Sequence, residues 1–260
     1  MTLELLYGFT LPFLGTALGA MLVFLMKSGL SRRTERALTG LAAGVMVAAS
    51  VWSLLLPAIE RASAWEQLAF LPAAVGLLSG FALLLLLDRF VPHLHPWNEH
   101  AEGPRTSLDK SHMLVLSVTL HNIPEGMAVG VLMAARLAGD PGVSAAAVLS
   151  LALGIAIQNF PEGAIVSMPL QSGGMGRPRA FAFALLSAVA ELIGALFALL
   201  MASLVLSLLP YFLSFAAGAM LFVVVEELIP DTVSDENPHT GTILFAIGFC
   251  LMMVLDVALG

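Results

Sequence analysis

The sequence predicts an all-α integral membrane protein: eight transmembrane helices with inverted-repeat character. Three observations carry that prediction. Of the 260 residues, 59% are hydrophobic and 11% charged, where a soluble domain carries about 25% charged residues. Apolar runs of about 20 residues, enough to span the hydrocarbon core, recur along the chain. A polar hexapeptide inside one such run, His121-Asn122-Ile123-Pro124-Glu125-Gly126, returns in altered form in the next as Gln158-Asn159-Phe160-Pro161-Glu162-Gly163. Length alone would allow one or two soluble domains, but a mean hydropathy of +0.95 overrules that. A net charge of −7 without a basic stripe argues against nucleic acid. The single cysteine, Cys250, excludes an internal disulfide framework.

The N-terminus lacks the positive segment of a signal peptide, carries Glu4 instead, and stays apolar to Met26, so it reads as the first span. Spans follow at roughly 5–26, 37–58, 68–90, 112–136, 145–168, 180–206, 208–230 and 240–258. They make one transmembrane domain over 1–260, with its longest connection at about 91–111. Lys27, Arg32, Arg33, Arg36, Arg89, Arg105, Lys110, Arg177 and Arg179 fall on one side, Arg61 and Arg136 on the other. By the positive-inside rule the richer side is cytoplasmic and both termini face out. Tyr7, Trp65, Trp97 and Tyr211 lie near span ends, where amphipathic rings settle. Gly15/Gly19, Gly40/Gly44, Gly76/Gly80 and Gly126/Gly130 keep the G-x-x-x-G spacing of close helix contacts, which also permits a homodimer.

Polar residues outside the doubled motif leave two readings each. Met46, Ser53 and Glu60 are spaced by sevens on the second span: either a small-residue seam ending in a solvated acid, or the wall of an access path. Glu226, Glu227 and Asp231, near the cytoplasmic end of the seventh span, make either an exit or an acidic cap at the water interface. The long connection holds His93, His95, Glu99, His100 and Glu102, a set that binds transition metal loosely or occurs by chance in solvated loops.

The doubled motif is more demanding. Residues at i and i+4 share a helix face, so His121 lies beside Glu125 and Gln158 beside Glu162. Pro124 and Pro161 each push away a carbonyl, of Leu120 and Ile157, and predict helix breaks facing a protein-lined cavity. At 1.5 Å per residue His121 sits about 14 Å into its span, near mid-depth. The fourth and fifth spans run in opposite directions, so the copies can face each other across a pseudo-two-fold axis. Carboxylates sharing a cavity repel, and a divalent cation offsets that repulsion. Imidazole from His121, carboxylates from Glu125 and Glu162 and amides from Asn122, Gln158 and Asn159 suit Zn²⁺, and admit Cd²⁺, Fe²⁺, Mn²⁺ or Co²⁺. Glu191, deep in the sixth span, costs on the order of 3 kcal/mol unless paired or wet, and so belongs to the same cavity.

These motifs resemble the ZIP family of metal-ion transporters, specifically its bacterial GufA-like branch, along the whole chain. The resemblance implies a binuclear metal centre between the fourth and fifth helices. His121, Glu125, Gln158 and Glu162 match its first site, and Asn122, Asn159 and Glu191 its second, with Glu125 and Glu162 bridging. The stretch AAGVMVAASVWSLLLPAIE resembles the family's outer vestibule and favours Met46, Ser53 and Glu60 as pathway residues. Gln158 stands where many members carry histidine. The resemblance also implies a multi-pass protein of the bacterial inner membrane that transports Zn²⁺ as substrate and has no catalytic residue.

Three functions compete on the sequence. A divalent-metal uptake transporter working by alternating access uses every buried ligand. An intramembrane zinc hydrolase would need an open coordination position and a base, and the H-E-x-x-H arrangement that supplies both is missing. A metal-selective channel would use the same ligands without saturating.

Overall fold

The computed structural model describes residues 2–26, 29–93, 103–232 and 239–259, and eight of its helices are long and apolar enough to cross a membrane. They are α1 (Leu3–Leu25), α2 (Arg32–Arg61), α3 (Phe70–Phe90), α4 (Lys110–Leu137), α5 (Ala145–Ser172), α6 (Arg177–Leu200), α7 (Leu209–Thr232) and α8 (Thr240–Leu259). No strand occurs among the described residues. Short polar side chains start several helices. Ser31, Asp109 and Ser144 accept from the backbone N–H three residues on, at 3.1, 2.9 and 2.8 Å, which satisfies donors that the first helical turn leaves open. Asp109 lies outside the spans, and the His112 backbone N–H holds its carboxyl below the usual range.

Two boundaries differ from expectation. α6 stops at Leu200, and a separate turn of helix covers Ala202–Ser207. The apolar run continues through the break without glycine or proline, so its hydropathy carried no sign of it. Nor do the motif prolines break their helices. α4 runs through Pro124 and α5 through Pro161 without interruption. The irregular backbone lies instead in α2 and α7, as wide π turns over Ser50–Leu55 and Val224–Leu228. Each is followed closely by a proline, Pro57 or Pro230, which has no N–H to return to the helix.

Helix partners show that the repeat extends beyond the doubled motif. α1 packs on α5 and α6 on α4; α2 packs on α8 and α7 on α3; α2 also meets α5, and α7 meets α4. Exchanging α1 with α6, α2 with α7, α3 with α8 and α4 with α5 maps this set of contacts onto itself. Exchanged helices run in opposite directions, so the repeat is inverted.

Close glycine contacts fix the register. Gly19 lies against the Phe160 carbonyl and Gly194 against that of Ile123, while Gly163 meets the Thr16 carbonyl and Gly126 that of Glu191. In the other half, Gly44 with Phe245 mirrors Gly218 with Leu77, and Gly248 with Leu41 mirrors Gly80 with Phe215. The same register makes Ser50 the counterpart of Val224, so both π turns begin at equivalent positions. Small residues allow this closeness, which supplies the dispersion contacts that hold helices together in lipid. The helices form two groups, α1/α4/α5/α6 and α2/α3/α7/α8, which meet mainly through α2–α5 and α4–α7.

Candidate functional site

Opposed α4 and α5 bring their motifs to one cavity. His121 and Glu125 of α4 and Gln158 and Glu162 of α5 line it together with Met46, Thr39, Glu227 and Asp231. It encloses about 640 Å³ of non-protein space, counting the solvent at its mouth. It reaches from mid-span at His121 to the starts of α2 and ends of α7, at Thr39 and Asp231.

The polar contacts are specific. Gln158 Nε2 donates to Glu125 Oε1 at 2.6 Å. His121 Nε2 meets Glu227 Oε1 at 2.5 Å. Asn159 Nδ2 donates to Glu191 Oε2 at 2.9 Å and to the Pro12 carbonyl at 3.4 Å. These bonds leave oxygens over. Asn122 Oδ1, Glu125 Oε2, Gln158 Oε1, Asn159 Oδ1, Glu162 Oε1 and Glu191 Oε1 are buried without a hydrogen-bond partner. Asn122 approaches Glu162 but closes no bond with it. Buried oxygens without donors are costly, and a cation is the group that satisfies several at once. Among the described residues, no three His, Cys, Asp or Glu side chains converge as a closed cage. The donors are a mixed set with amides among them, several of them engaged with one another.

Glu191 lies on the face of α6 that Asn159 reaches, so its carboxylate joins the Asn122–Asn159 side. Of the expected seventh-span acids, Glu226 is exposed and is not part of this cavity's lining. Its neighbour Glu227 is buried against His121. Consecutive helical side chains diverge by about 100°, which turns Glu227 toward this cavity and Glu226 away from it. Asp231 lines the cavity, and its Oδ2 accepts from Thr39 Oγ1 at 2.8 Å.

The second-span set is divided. Met46 is buried on the cavity just described. Ser53 and the exposed Glu60 line a separate cavity on the face that carries both termini, with Arg61, Ser144 and Asp256. Asp256 escaped the sequence reading. It accepts from Ser53 Oγ at 2.9 Å and Ser150 Oγ at 3.2 Å, and a lone carboxylate in the last apolar run was the signal. In the repeat register its counterpart on α3 is Asp88, which meets His93 Nε2 at 2.9 Å in a small cavity that also touches His121. His95 and His100 lie outside the described residues.

The chain is similar to known proteins along most of its length. A family model described as ZIP Zinc transporter matches residues 100–256. The chain is 40% identical over 252 residues to Zinc transporter ZIPB of Bordetella bronchiseptica, covering 95% of this chain and 79% of that protein. It is 39% identical over 248 residues to Zinc transporter GufA of Myxococcus xanthus, covering 94% of each. Against Zinc transporter ZIP11 of Xenopus tropicalis the identity is 36% over 330 residues, covering 99% of this chain and 98% of that protein.

Proposed function

This chain belongs to the ZIP Zinc transporter family, and on that premise we propose that it takes up Zn²⁺ into the cytoplasm through the α4/α5 cavity, as a transporter and not an enzyme. One observation carries the reading: His121, Glu125, Gln158 and Glu162 line a single cavity within the span, beside buried oxygens that no protein donor satisfies. Two ion positions fit that donor set. His121, Glu125, Gln158 and Glu162 supply the first, and Asn122, Asn159 and Glu191 the second, with Glu125 and Glu162 shared. On binding, an ion takes the place of the amide and imidazole donors now held by the carboxylates. The set lacks thiolate, so it holds Zn²⁺ through nitrogen and oxygen and also accepts Cd²⁺, Fe²⁺, Mn²⁺ or Co²⁺.

The bias of basic residues supports termini outside the cytoplasm, and the likeness to bacterial relatives supports the bacterial inner membrane. The Ser53–Asp256 cavity then receives the ion, and the cavity ending at Asp231 releases it. Met46 of the inner cavity and Leu213 of the outer one belong to the same buried core, which supports a site exposed to one side at a time. Movement of α1/α4/α5/α6 against α2/α3/α7/α8 provides that alternation. Glu227 pairs with the imidazole of His121 and gives it up when metal binds.

Influx of Zn²⁺ into proteoliposomes made with the purified protein tests this function. Saturable influx supports a transporter. Influx that rises without limit as the metal concentration rises would favour a channel, and none at all, with metal still bound, would overturn transport.

A further inference from the structure

The inverted repeat sets Thr16 on α1 where Glu191 stands on α6. Thr16 presents its carbonyl to Gly163 of α5 as Glu191 presents its own to Gly126 of α4. One turn away, Gly19 against Phe160 and Gly194 against Ile123 keep the same register. Both side chains are buried, Thr16 at 0% and Glu191 at 2% exposure.

On one side of the repeat the polar pair is closed: Glu191 reaches the Asn159 amide at 2.9 Å. The mirrored pair is Thr16 with Asn122. A threonine hydroxyl stops two bonds short of a glutamate carboxylate, and this pair stays open. Thr16 Oγ1 and both amide atoms of Asn122 have no hydrogen-bond partner. Thr16 is also unlike other span threonines. Thr10 and Thr119 each donate to the carbonyl four residues back, the usual refuge of a hydroxyl in a helix, and the single proton of Thr39 is shared between that carbonyl and Asp231. For Thr16 that carbonyl belongs to Pro12, and Asn159 Nδ2 donates to it instead. The hydroxyl is thus buried without a partner and released from its own helix, at the place the repeat register gives to Glu191 on the other side.

We infer that Thr16 is a further donor of the second ion position, its hydroxyl supplying a neutral oxygen beside Asn122 and across from the Asn159–Glu191 pair. This rests on the two-position reading proposed above. The asymmetry has a function: one carboxylate instead of two at the mirrored places keeps the negative charge low. Charge count among oxygen ligands sets how tightly a cation is held, and a transporter must release its ion.

Zn²⁺ titration of the purified protein tests the assignment, comparing wild type with Thr16→Ser, Thr16→Val and Thr16→Asp, and with Glu125→Ala as reference. Thr16→Ser keeps the hydroxyl and retains both affinities. Thr16→Val keeps the shape, loses the oxygen, and weakens the weaker of two binding events about fivefold to tenfold. Thr16→Asp tightens that event about tenfold or more and lowers maximal influx. Should the aspartate variant fail to fold, the serine–valine pair decides alone. A residue that merely fills space gives the opposite order, with valine retained and serine impaired. Two bound ions with serine and valine indistinguishable would overturn the inference by itself. A single bound ion in wild type, abolished by Glu125→Ala, would overturn the two-position reading and this inference with it.

Discussion

Gly126→Ala places a methyl group where helices α4 and α6 come closest, and its cost can be worked from the contact. A Cβ there would lie 1.8 Å from the Glu191 carbonyl oxygen, against 3.4 Å for ordinary contact, so relief requires about 1.6 Å of separation (3.4 − 1.8). The obstacle is backbone, which has no rotamer to yield. If α6 moves as a body along that line, the Asn159–Glu191 hydrogen bond stretches from 2.9 Å by up to 1.6 Å, to about 4.5 Å at most, which weakens or breaks it. Overpacking costs about 1–3 kcal/mol, and a lost hydrogen bond between membrane helices about 0.6–1.7 kcal/mol. Together these lower the unfolding midpoint by roughly 3–19 °C for a chain of this size. Thermal unfolding in detergent measures it, with Gly176→Ala as the control. Gly176 starts α6 with a φ of −60° and nothing within 4 Å of an added Cβ. Metal influx should fall with the midpoint, since Glu191 leaves its partner. A Gly126→Ala midpoint within about 2 °C of the control, with full influx, would refute the reasoning.

Other outcomes follow from the same geometry. Glu227→Gln leaves His121 with a neutral partner; maximal influx should fall about tenfold or more while the fold persists, and unchanged influx would remove Glu227 from the release path. Asp256→Asn should raise the half-saturating Zn²⁺ concentration about threefold to tenfold with little change in maximal rate, because the outer cavity only gathers the ion; an unaltered half-saturation would contradict that role. Asp109 gives a pH test. Its carboxyl is held below the usual range by the His112 N–H, so its capping contribution is present above the ordinary carboxylate value of about 3.9 and lost as pH falls through the lowered folded value. The protection factor of the His112 amide, its exchange rate taken relative to the intrinsic rate at each pH, should therefore fall on acidification into that window, and in Asp109→Ala it should be low throughout.

Helical spacing explains what the sequence disclosed. Within α4 and α5 the i, i+4 rule holds without interruption, so His121 with Glu125 and Gln158 with Glu162 were placed on one cavity from spacing alone. Glu191 was legible because a carboxylate in an apolar run has few places to go. The rule failed where the helix register itself changes. Met46, Ser53 and Glu60 share a heptad spacing, but the π turn over Ser50–Leu55 lies within that stretch and shifts the later face away from the earlier one. Met46 therefore lines one cavity and Ser53 and Glu60 another. A second π turn holds both Glu226 and Glu227, and only three-dimensional packing separates the acid that meets His121 from the one that faces out. Prolines were visible at Pro124 and Pro161, yet the irregular turns formed ahead of Pro57 and Pro230. The repeat beyond the doubled motif is also written in the sequence, as Ala42-Ala43-Gly44-Val45-Met46 against Ala216-Ala217-Gly218-Ala219-Met220 and as Gly80-Phe81 and Leu87-Asp88 against Gly248-Phe249 and Leu255-Asp256, but such short matches inside apolar runs gain meaning only from the glycine-to-carbonyl contacts that keep the register.

Glu125 joins both proposed ion positions, so its removal tests the account most directly. Zn²⁺ influx should be measured in proteoliposomes of wild type and Glu125→Ala, matched for amount and for thermal stability. The account predicts saturable influx in wild type and background influx in the variant. Saturable influx retained by folded Glu125→Ala would place the path of the ion somewhere other than between α4 and α5.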